Sequence, residues 1–213
     1  LGEISPAWLY WWPRYKNLVP AFLEEEKKWR RQAGFWQGEI KGSYDFQFNG
    51  APFTLTAKAD RIDRTENGAA IIDYKTGNTP STRDVANGKS PQLPLEALLV
   101  SLGAFDNFAA DANHIEMGYW TLTGKLKPVD ITMIGDKRIR GETGLQDVRP
   151  ADIIAEAKEG FTRLMTAFMT DITPYHPVIP TSNRLYDDEK AYKHLARCDE
   201  WGIAGEQDQE EAI

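Results

Sequence analysis

Apolar and polar positions alternate along Phe53–Asp60, where Phe, Leu and Ala at odd positions face Thr, Lys and Asp at even ones. This period of two predicts a strand with one apolar face. Ala69–Ile72 is short, apolar and partly β-branched, and Asn67-Gly68 before it is a strong hairpin turn signal. Because Thr76 to Pro80 breaks the pattern after Lys75, the sequence predicts a β-hairpin whose second strand ends near that lysine.

The rest of the chain alternates between strand-like and helix-like patterns. Strands are predicted over Trp36–Phe48, Pro52–Arg64, Ile115–Leu122 and Val129–Ile134, and helices over Pro20–Gln32, Pro91–Leu102 and Pro150–Asp171, with short ones near Ser81–Gly88 and Asp187–Arg197. We expect an α/β fold with a central mixed sheet of four or five strands flanked by helices. The first three strands should form an antiparallel meander. Without a Gly-rich phosphate loop or regular βαβ alternation, a doubly wound sheet is disfavoured.

Three regions are predicted along the 213 residues: an aromatic segment and helix at 1–35, a core at 36–175, and a C-terminal arm with an acidic tail at 176–213. The opening stretch Pro6–Pro13 is rich in tryptophan and bracketed by prolines. We expect its rings to pack on the core or on another part of a larger parent chain. The start without methionine is consistent with a piece of a longer protein.

Candidate chemistry lies on the predicted hairpin. Asp73 and Lys75 are two residues apart on one strand, so both side chains point to one face, beside Asp60 of the preceding strand. Two carboxylates with room for waters suit Mg²⁺. A nearby lysine can orient or deprotonate a water that the metal makes more acidic. Against this, Asp73 and Lys75 could form an exposed ion pair worth only about 0–1 kcal/mol.

Other polar residues near the hairpin have open roles. Gln92 is predicted at a helix N-terminus, where free N–H groups favour a phosphate. Glu96, one turn further on, could approach the metals or merely stabilise the helix. Glu39 is a candidate third acid, although a solvent-facing position is the simpler interpretation. Asp63 should face away from Asp60 and form a structural salt bridge with Arg61 or Arg64.

Three pieces of the chain, AKADRID at Ala57–Asp63, IIDYKTG at Ile71–Gly77 and PQLPLEA at Pro91–Ala97, resemble the PD-(D/E)XK nuclease superfamily and its RecB-like branch. They are most similar to the C-terminal nuclease domain of AddB-type helicase–nuclease subunits. The resemblance covers about residues 36–105 and implies a restriction-endonuclease-like fold. It further implies the following roles: metal ligands at Asp60, Asp73 and the Tyr74 carbonyl, a catalytic lysine at Lys75, and a positioning role for Gln92.

The sequence departs from that branch in several ways. Glu96 stands where the branch carries tyrosine, Ala57 replaces a glycine, and no histidine precedes His114. Many AddB-like proteins hold an iron–sulfur cluster, which normally needs four thiolates. Because Cys198 is the single cysteine, we expect no such cluster and a reduced, structural thiol. Neither His176 nor His194 is assigned to a metal.

Charge argues against simple DNA binding. The net charge is −7 and the isoelectric point about 5.1, whereas DNA-binding proteins usually carry a basic surface. We interpret the acidic charge as a sign that a motor protein delivers the DNA substrate to this chain. One compact basic cluster remains, a solvated loop or a contact to the DNA backbone, with Lys137, Arg138 and Arg140.

The leading prediction is a Mg²⁺- or Mn²⁺-dependent DNA exonuclease domain in double-strand break repair and recombination. It would take a single strand from a helicase, with an AddA-type helicase–nuclease subunit as partner, in the bacterial cytoplasm at the nucleoid. No apolar run approaches the length of a membrane span. Alternatives are a non-catalytic DNA-end or partner-binding scaffold on a nuclease fold, and another metal-dependent hydrolase.

Overall fold

The computed structural model describes residues 6–106, 108–135, 139–141, 144–170 and 172–173, with only the backbone given at 6–7 and within 139–146. Residues up to Met169 form one compact unit. A second unit begins at Thr170, and only three of its residues are described. Lys137, Arg138, the predicted helix at Asp187–Arg197, Cys198 and both C-terminal histidines lie outside the described residues.

The elements follow in order, with helices α1–α4 and strands β1–β7. They are α1 (Pro6–Trp29), β1 (Ala33–Phe48), β2 (Ala51–Thr65), β3 (Ala69–Lys75), α2 (Thr82–Ala86), α3 (Gln92–Ser101), a 3₁₀ helix (Ala112–His114), β4 (Ile115–Leu122), β5 (Val129–Met133), β6 (Ile139–Gly141), β7 (Gly144–Gln146) and α4 (Pro150–Phe168). The predicted strands of the main sheet are thus confirmed to within a few residues at either end.

The main sheet has five strands in the order β1-β2-β3-β4-β5, and β6 pairs with β7 separately. The first three strands form the predicted antiparallel meander, β4 runs parallel to β3, and β5 is antiparallel to β4. The crossover from β3 to β4 contains α2 and α3. Because β3 and β4 are parallel, their carboxyl ends meet at one edge of the sheet.

Both faces of the sheet are covered, so the predicted mixed α/β fold is confirmed. One face packs on α3 and α4 through residues such as Ile71, Leu93 and Ile153. The other packs on α1, where Trp29 and Phe22 meet Ile72 and Trp120. Successive residues of β3 therefore point alternately into two apolar layers, which places Asp73 and Lys75 on the side of α3.

The N-terminal region differs from the prediction, because α1 begins at Pro6 and not near Pro20. Pro13 and Pro20 lie inside the helix, and each deprives the carbonyl four residues earlier of its donor. Those carbonyls belong to Leu9 and Lys16, two exposed residues whose backbone water can solvate. The aromatic rings do not pack on the described core, since Trp8 and Trp11 are at least half exposed.

Within the described residues, no helix is long and apolar enough to span a membrane. The last long helix, α4, is shorter than predicted and ends at Phe168. Its N-terminal turns bury Ile153 and Ile154 against the sheet, whereas Leu164 is more than half exposed. The second half of the helix is anchored as well, because Phe161 packs against Phe46, Phe48 and Phe53 of the β1–β2 hairpin.

Candidate active site

The antiparallel register of β2 and β3 brings two aspartates together. Arg61 pairs with Ile72, so Asp60 is next to Asp73 along the ladder. Oδ2 of Asp60 accepts a 2.9 Å hydrogen bond from the backbone N–H of Tyr74. This bond ties the carboxylate of one strand to the end of the other.

Lys75 is the last residue of β3, and its ammonium turns back toward Asp73. Nζ donates a 2.9 Å hydrogen bond to Oδ1. It also lies 2.7 Å from Oδ2, but the angles at this second contact are those of an ion pair and not of a hydrogen bond. The Lys75 side chain remains 29% exposed, whereas that of Asp73 is 2% exposed. The ammonium therefore lies between a buried carboxylate and solvent.

Burial raises the pKa of Asp73, and the nearby charge of Asp60 raises it further. Lys75 and the amide of Gln92 act in the opposite direction and lower this pKa. In the described part of the chain, Asp73 Oδ2 has no hydrogen-bond donor. Burying a carboxylate oxygen is costly unless a cation accompanies it, and here the Lys75 ammonium, 2.7 Å from Oδ2, is such a cation.

Helix α3 is the third element of the site, after strands β2 and β3. It begins at Gln92, as predicted, with Pro94 in its first turn. Oε1 of Gln92 accepts a 3.3 Å hydrogen bond from Lys75 Nζ. Nε2 donates a 3.2 Å hydrogen bond to Oε1 of Glu96. A continuous chain of contacts thus runs from Asp73 through Lys75 and Gln92 to Glu96.

Glu96 is only 4% exposed, and its neighbours along α3 are the buried apolar residues Leu93, Ala97, Leu99 and Val100. Burial raises the pKa of Glu96 to about 7, while the hydrogen bond from Gln92 lowers it and the charges of Asp73 and Asp60 raise it. Its Oε2 makes no hydrogen bond to any described residue. Of the two roles left open by the sequence, stabilising the helix N-terminus does not explain a carboxylate that is almost completely buried beside Gln92.

Sequence reasoning missed Tyr119. It pairs with Asp73 in the parallel ladder and is 1% exposed. Lys75 Nζ lies 5.8 Å from the centre of its ring, within cation–π range. No spacing in the sequence gives this contact, because it depends on the register between two strands joined by a long crossover.

Asp63 lies on the opposite face of β2, with Arg61. The Arg61 guanidinium bonds Asp63 at 2.6 Å and Glu26 of α1 at 2.7 Å, and Trp29 Nε1 donates to Asp63 at 2.6 Å. Arg61 also donates to the Tyr74 hydroxyl at 3.0 Å. The predicted structural salt bridge between Arg61 and Asp63 is confirmed, and it fastens α1 to the sheet.

Of the remaining candidates, Glu39 does not lie at this site, and the side chains of Lys137, Arg138 and Arg140 lie outside the described residues. Glu39 is exposed on β1, adopts a positive φ of 53°, and forms an ion pair with Lys58. The simpler interpretation, a solvent-facing residue, therefore describes its position. The backbone of Arg140 lies in β6, but its side chain is not described.

The donor set fits a hard divalent cation. Among the described residues, no group of three or more His, Cys, Asp or Glu side chains is arranged to hold a metal. Asp60 and Asp73 nevertheless provide two neighbouring carboxylates, and Mg²⁺ commonly binds one or two carboxylates and keeps several waters. Asp73 Oδ2, which accepts no hydrogen bond from the described residues although Lys75 Nζ lies 2.7 Å away, is an oxygen of the required kind.

A five-stranded mixed sheet with helices on both faces, and a D-x-K pair at the end of its third strand, define an α/β protein of restriction-endonuclease type. The profile of the PD-(D/E)XK nuclease superfamily matches residues 3–194. The chain belongs to this superfamily, and its superfamily indicates nuclease activity. Assignment to the RecB-like branch stays a prediction.

The chain is also similar to uncharacterized proteins of Rickettsia. It is 36% identical over 186 residues to a Rickettsia typhi protein, covering 75% of this chain and 21% of that one. It is 27% identical over 192 residues to a Rickettsia felis protein, covering 80% and 22%. A Rickettsia bellii protein is 31% identical over 97 residues, or 45% and 12%. The chain thus spans less than a quarter of the length of these relatives.

One solved structure, described as the crystal structure of SSO0001, aligns with a TM-score of 0.33 and 16% identity, covering 64% of this chain and 52% of that one. A score this low carries no argument about fold or function.

Proposed function

We propose that this domain is a divalent-metal-dependent deoxyribonuclease that hydrolyses phosphodiester bonds at DNA ends. The observation that supports this most directly is the contact chain Asp73–Lys75–Gln92 beside Asp60. A surface ion pair would need none of its features: a buried aspartate, a shared lysine and a helix-borne amide.

Mg²⁺ is the proposed ion, held by Asp60, Asp73 and the Tyr74 carbonyl. When bound, it would supply Lewis-acid stabilisation and a more acidic water. Lys75 would orient the attacking water as an ammonium, or accept the proton of that water if it reacts as the neutral amine. In the ammonium form it would stabilise negative charge that develops on the phosphate. Its partial exposure fits this role, since the ammonium faces the side from which a substrate must approach.

Gln92 supports a phosphate position next to Lys75. As the first residue of α3 it lies where unpaired backbone N–H groups and the helix dipole favour an anion. The scissile phosphate would then lie between the end of β3 and the start of α3. Two independent elements would thus fix its place.

The cellular setting belongs to the same proposal. The net charge of −7 gives the chain little intrinsic attraction for DNA, which suits a single strand delivered by a helicase subunit in double-strand break repair. Because the chain spans less than a quarter of its relatives' length, the motor would belong to the parent protein or to an AddA-type partner.

The test is degradation of end-labelled linear single- and double-stranded DNA with Mg²⁺ or Mn²⁺. Wild type is compared with Lys75→Met and with Lys41→Met, which alters an exposed lysine of β1. We expect shortening that needs metal, is lost in Lys75→Met and persists in Lys41→Met. Cleavage retained by Lys75→Met would refute the mechanism. The longer parent protein with its helicase is assayed in parallel.

A second candidate is a non-catalytic module that binds DNA ends or a partner. The buried third acid, Glu96, favours it, because this carboxylate repels a phosphate whenever it is ionised. Metal-independent DNA binding without shortening, in the isolated chain and in the parent complex alike, would support this alternative and exclude the nuclease.

A further inference from the structure

The least expected feature of the site is a carboxylate buried beneath an exposed amide. Gln92 is exposed at the start of α3, whereas Glu96, one turn later, is 4% exposed. Their side chains meet at 3.2 Å, Nε2 of Gln92 to Oε1 of Glu96. The partner of Gln92 on its other side is Lys75, at 3.3 Å from Oε1.

An amide side chain has one donating end and one accepting end. The carboxylate of Glu96 can only accept when ionised, so it selects the NH₂ end of Gln92. The carbonyl end is then left for the Lys75 ammonium, which can only donate. We propose that Glu96 is a positioning residue, which fixes the orientation of the Gln92 amide and through it the place of Lys75.

This inference rests on the proposed function, because it gives Lys75 its place in the nuclease reaction. Without an acceptor at position 96, the exposed Gln92 side chain would keep only its contacts with Asp73 and Lys75. A flipped amide would present its NH₂ group to the ammonium, two donors facing each other. Lys75 would then be held by Asp73 alone.

Folding by itself does not account for the glutamate. The surrounding residues of α3 are apolar, and Oε2 has no partner in the described part of the chain. Burying a carboxyl group in such a place is unfavourable compared with an apolar side chain of similar size. A residue that costs stability yet contacts a site side chain is typical of functional positions.

Two variants of Glu96 distinguish the effect of its hydrogen-bond acceptor from the effect of its side-chain size. Glu96→Gln keeps an oxygen that can accept from Gln92, and Glu96→Met keeps a similar length without one. Gln92→Met removes the amide that connects Glu96 to Lys75, and it also identifies the NMR signal of Gln92. If Glu96 were only structural, Glu96→Met should lower the melting temperature; as a positioning residue, it should leave the temperature unchanged or raise it.

The first readout does not depend on activity. In protein labelled with ¹⁵N at glutamine side chains, the signal absent from Gln92→Met belongs to Gln92. We expect this signal to move toward the position of exposed glutamines in Glu96→Met and to stay near its wild-type position in Glu96→Gln. An unchanged signal in Glu96→Met would overturn the proposal, whether or not the protein cleaves DNA.

The second readout is a double-mutant cycle on DNA cleavage. Glu96→Met should lower kcat about ten-fold, the lower end for residues that orient a catalytic group, with little change in KM. Glu96→Gln should restore most of the rate. In a Gln92→Met background Glu96→Met should have no further effect, and multiplying effects would refute action through Gln92. Wild type without cleavage would count against the nuclease alone, leaving the spectroscopic result to decide the positioning role.

Discussion

The ammonium of Lys75 lies 2.9 Å from Oδ1 and 2.7 Å from Oδ2 of Asp73, a carboxylate almost completely removed from solvent. The lysine therefore has two functions at the end of β3. It compensates a buried negative charge, and it presents a cation at the mouth of the site. A divalent ion at Asp73 would supply the first function, which makes the effect of removing Lys75 dependent on metal.

Lys75→Met should lower the free energy of unfolding by about 1–3 kcal/mol in metal-free buffer, because Asp73 loses its counter-charge. The expected loss lies below that of a fully buried pair, since Lys75 is partly exposed. Mg²⁺ should raise the melting temperature more in this variant than in wild type. Thermal unfolding with EDTA and with Mg²⁺ measures both, and Lys41→Met is the control. Equal stability of both variants without metal would contradict the expectation.

Asp73→Asn should abolish detectable Mg²⁺ or Mn²⁺ binding in calorimetric titration while the fold is retained. The amide removes the charge that a hard cation requires and relieves the cost of burying a carboxylate. Asp130→Asn is a suitable control, because Asp130 of β5 forms an exposed ion pair with Lys127, which precedes that strand. Unchanged metal affinity in Asp73→Asn would remove this residue from the proposed site.

Glu96 should make stability depend on pH. Its pKa rises from 4.5 to about 7 on folding, so between these values the folded state holds a proton that the unfolded state has lost. The free energy of unfolding relative to Glu96→Gln should therefore fall from pH 4.5 to pH 7, by up to about 3 kcal/mol, and stay level above. Urea unfolding across this range measures it. A difference independent of pH would show that Glu96 titrates normally.

The parts of the structure that the sequence predicts are those set by near neighbours. Alternation in Phe53–Asp60 and the Asn67-Gly68 turn predict the β2–β3 hairpin, because both signals are local. The same-face placement of Asp73 and Lys75 follows from strand geometry alone. Their actual contact and the pairing of Arg61 with Asp63 agree with those expectations.

What the sequence does not predict depends on tertiary context. Pro13 and Pro20 argue for a break, yet α1 continues through both, and the carbonyls that lose their donors belong to exposed residues. Tyr119 reaches Lys75 through a parallel register that no spacing indicates. Glu96 could face solvent or core from its position on α3, and only the packing of the helix on the sheet decides.

Asp63, on the face of β2 opposite the site, should contribute to stability and not to metal binding. Asp63 is fully buried and holds both Arg61 and the Trp29 indole. Asp63→Ala would leave the buried guanidinium with Glu26 as its one acidic partner in the described part of the chain, and the indole N–H without its acceptor. We expect a loss of about 3–5 kcal/mol in the free energy of unfolding, with Mg²⁺ affinity retained in whatever fraction folds.

Glu39→Ala, which breaks the exposed pair with Lys58, should cost less than about 1 kcal/mol. Denaturant unfolding of both variants measures this contrast, and similar losses would mean that the Arg61 cluster does not hold α1 to the sheet.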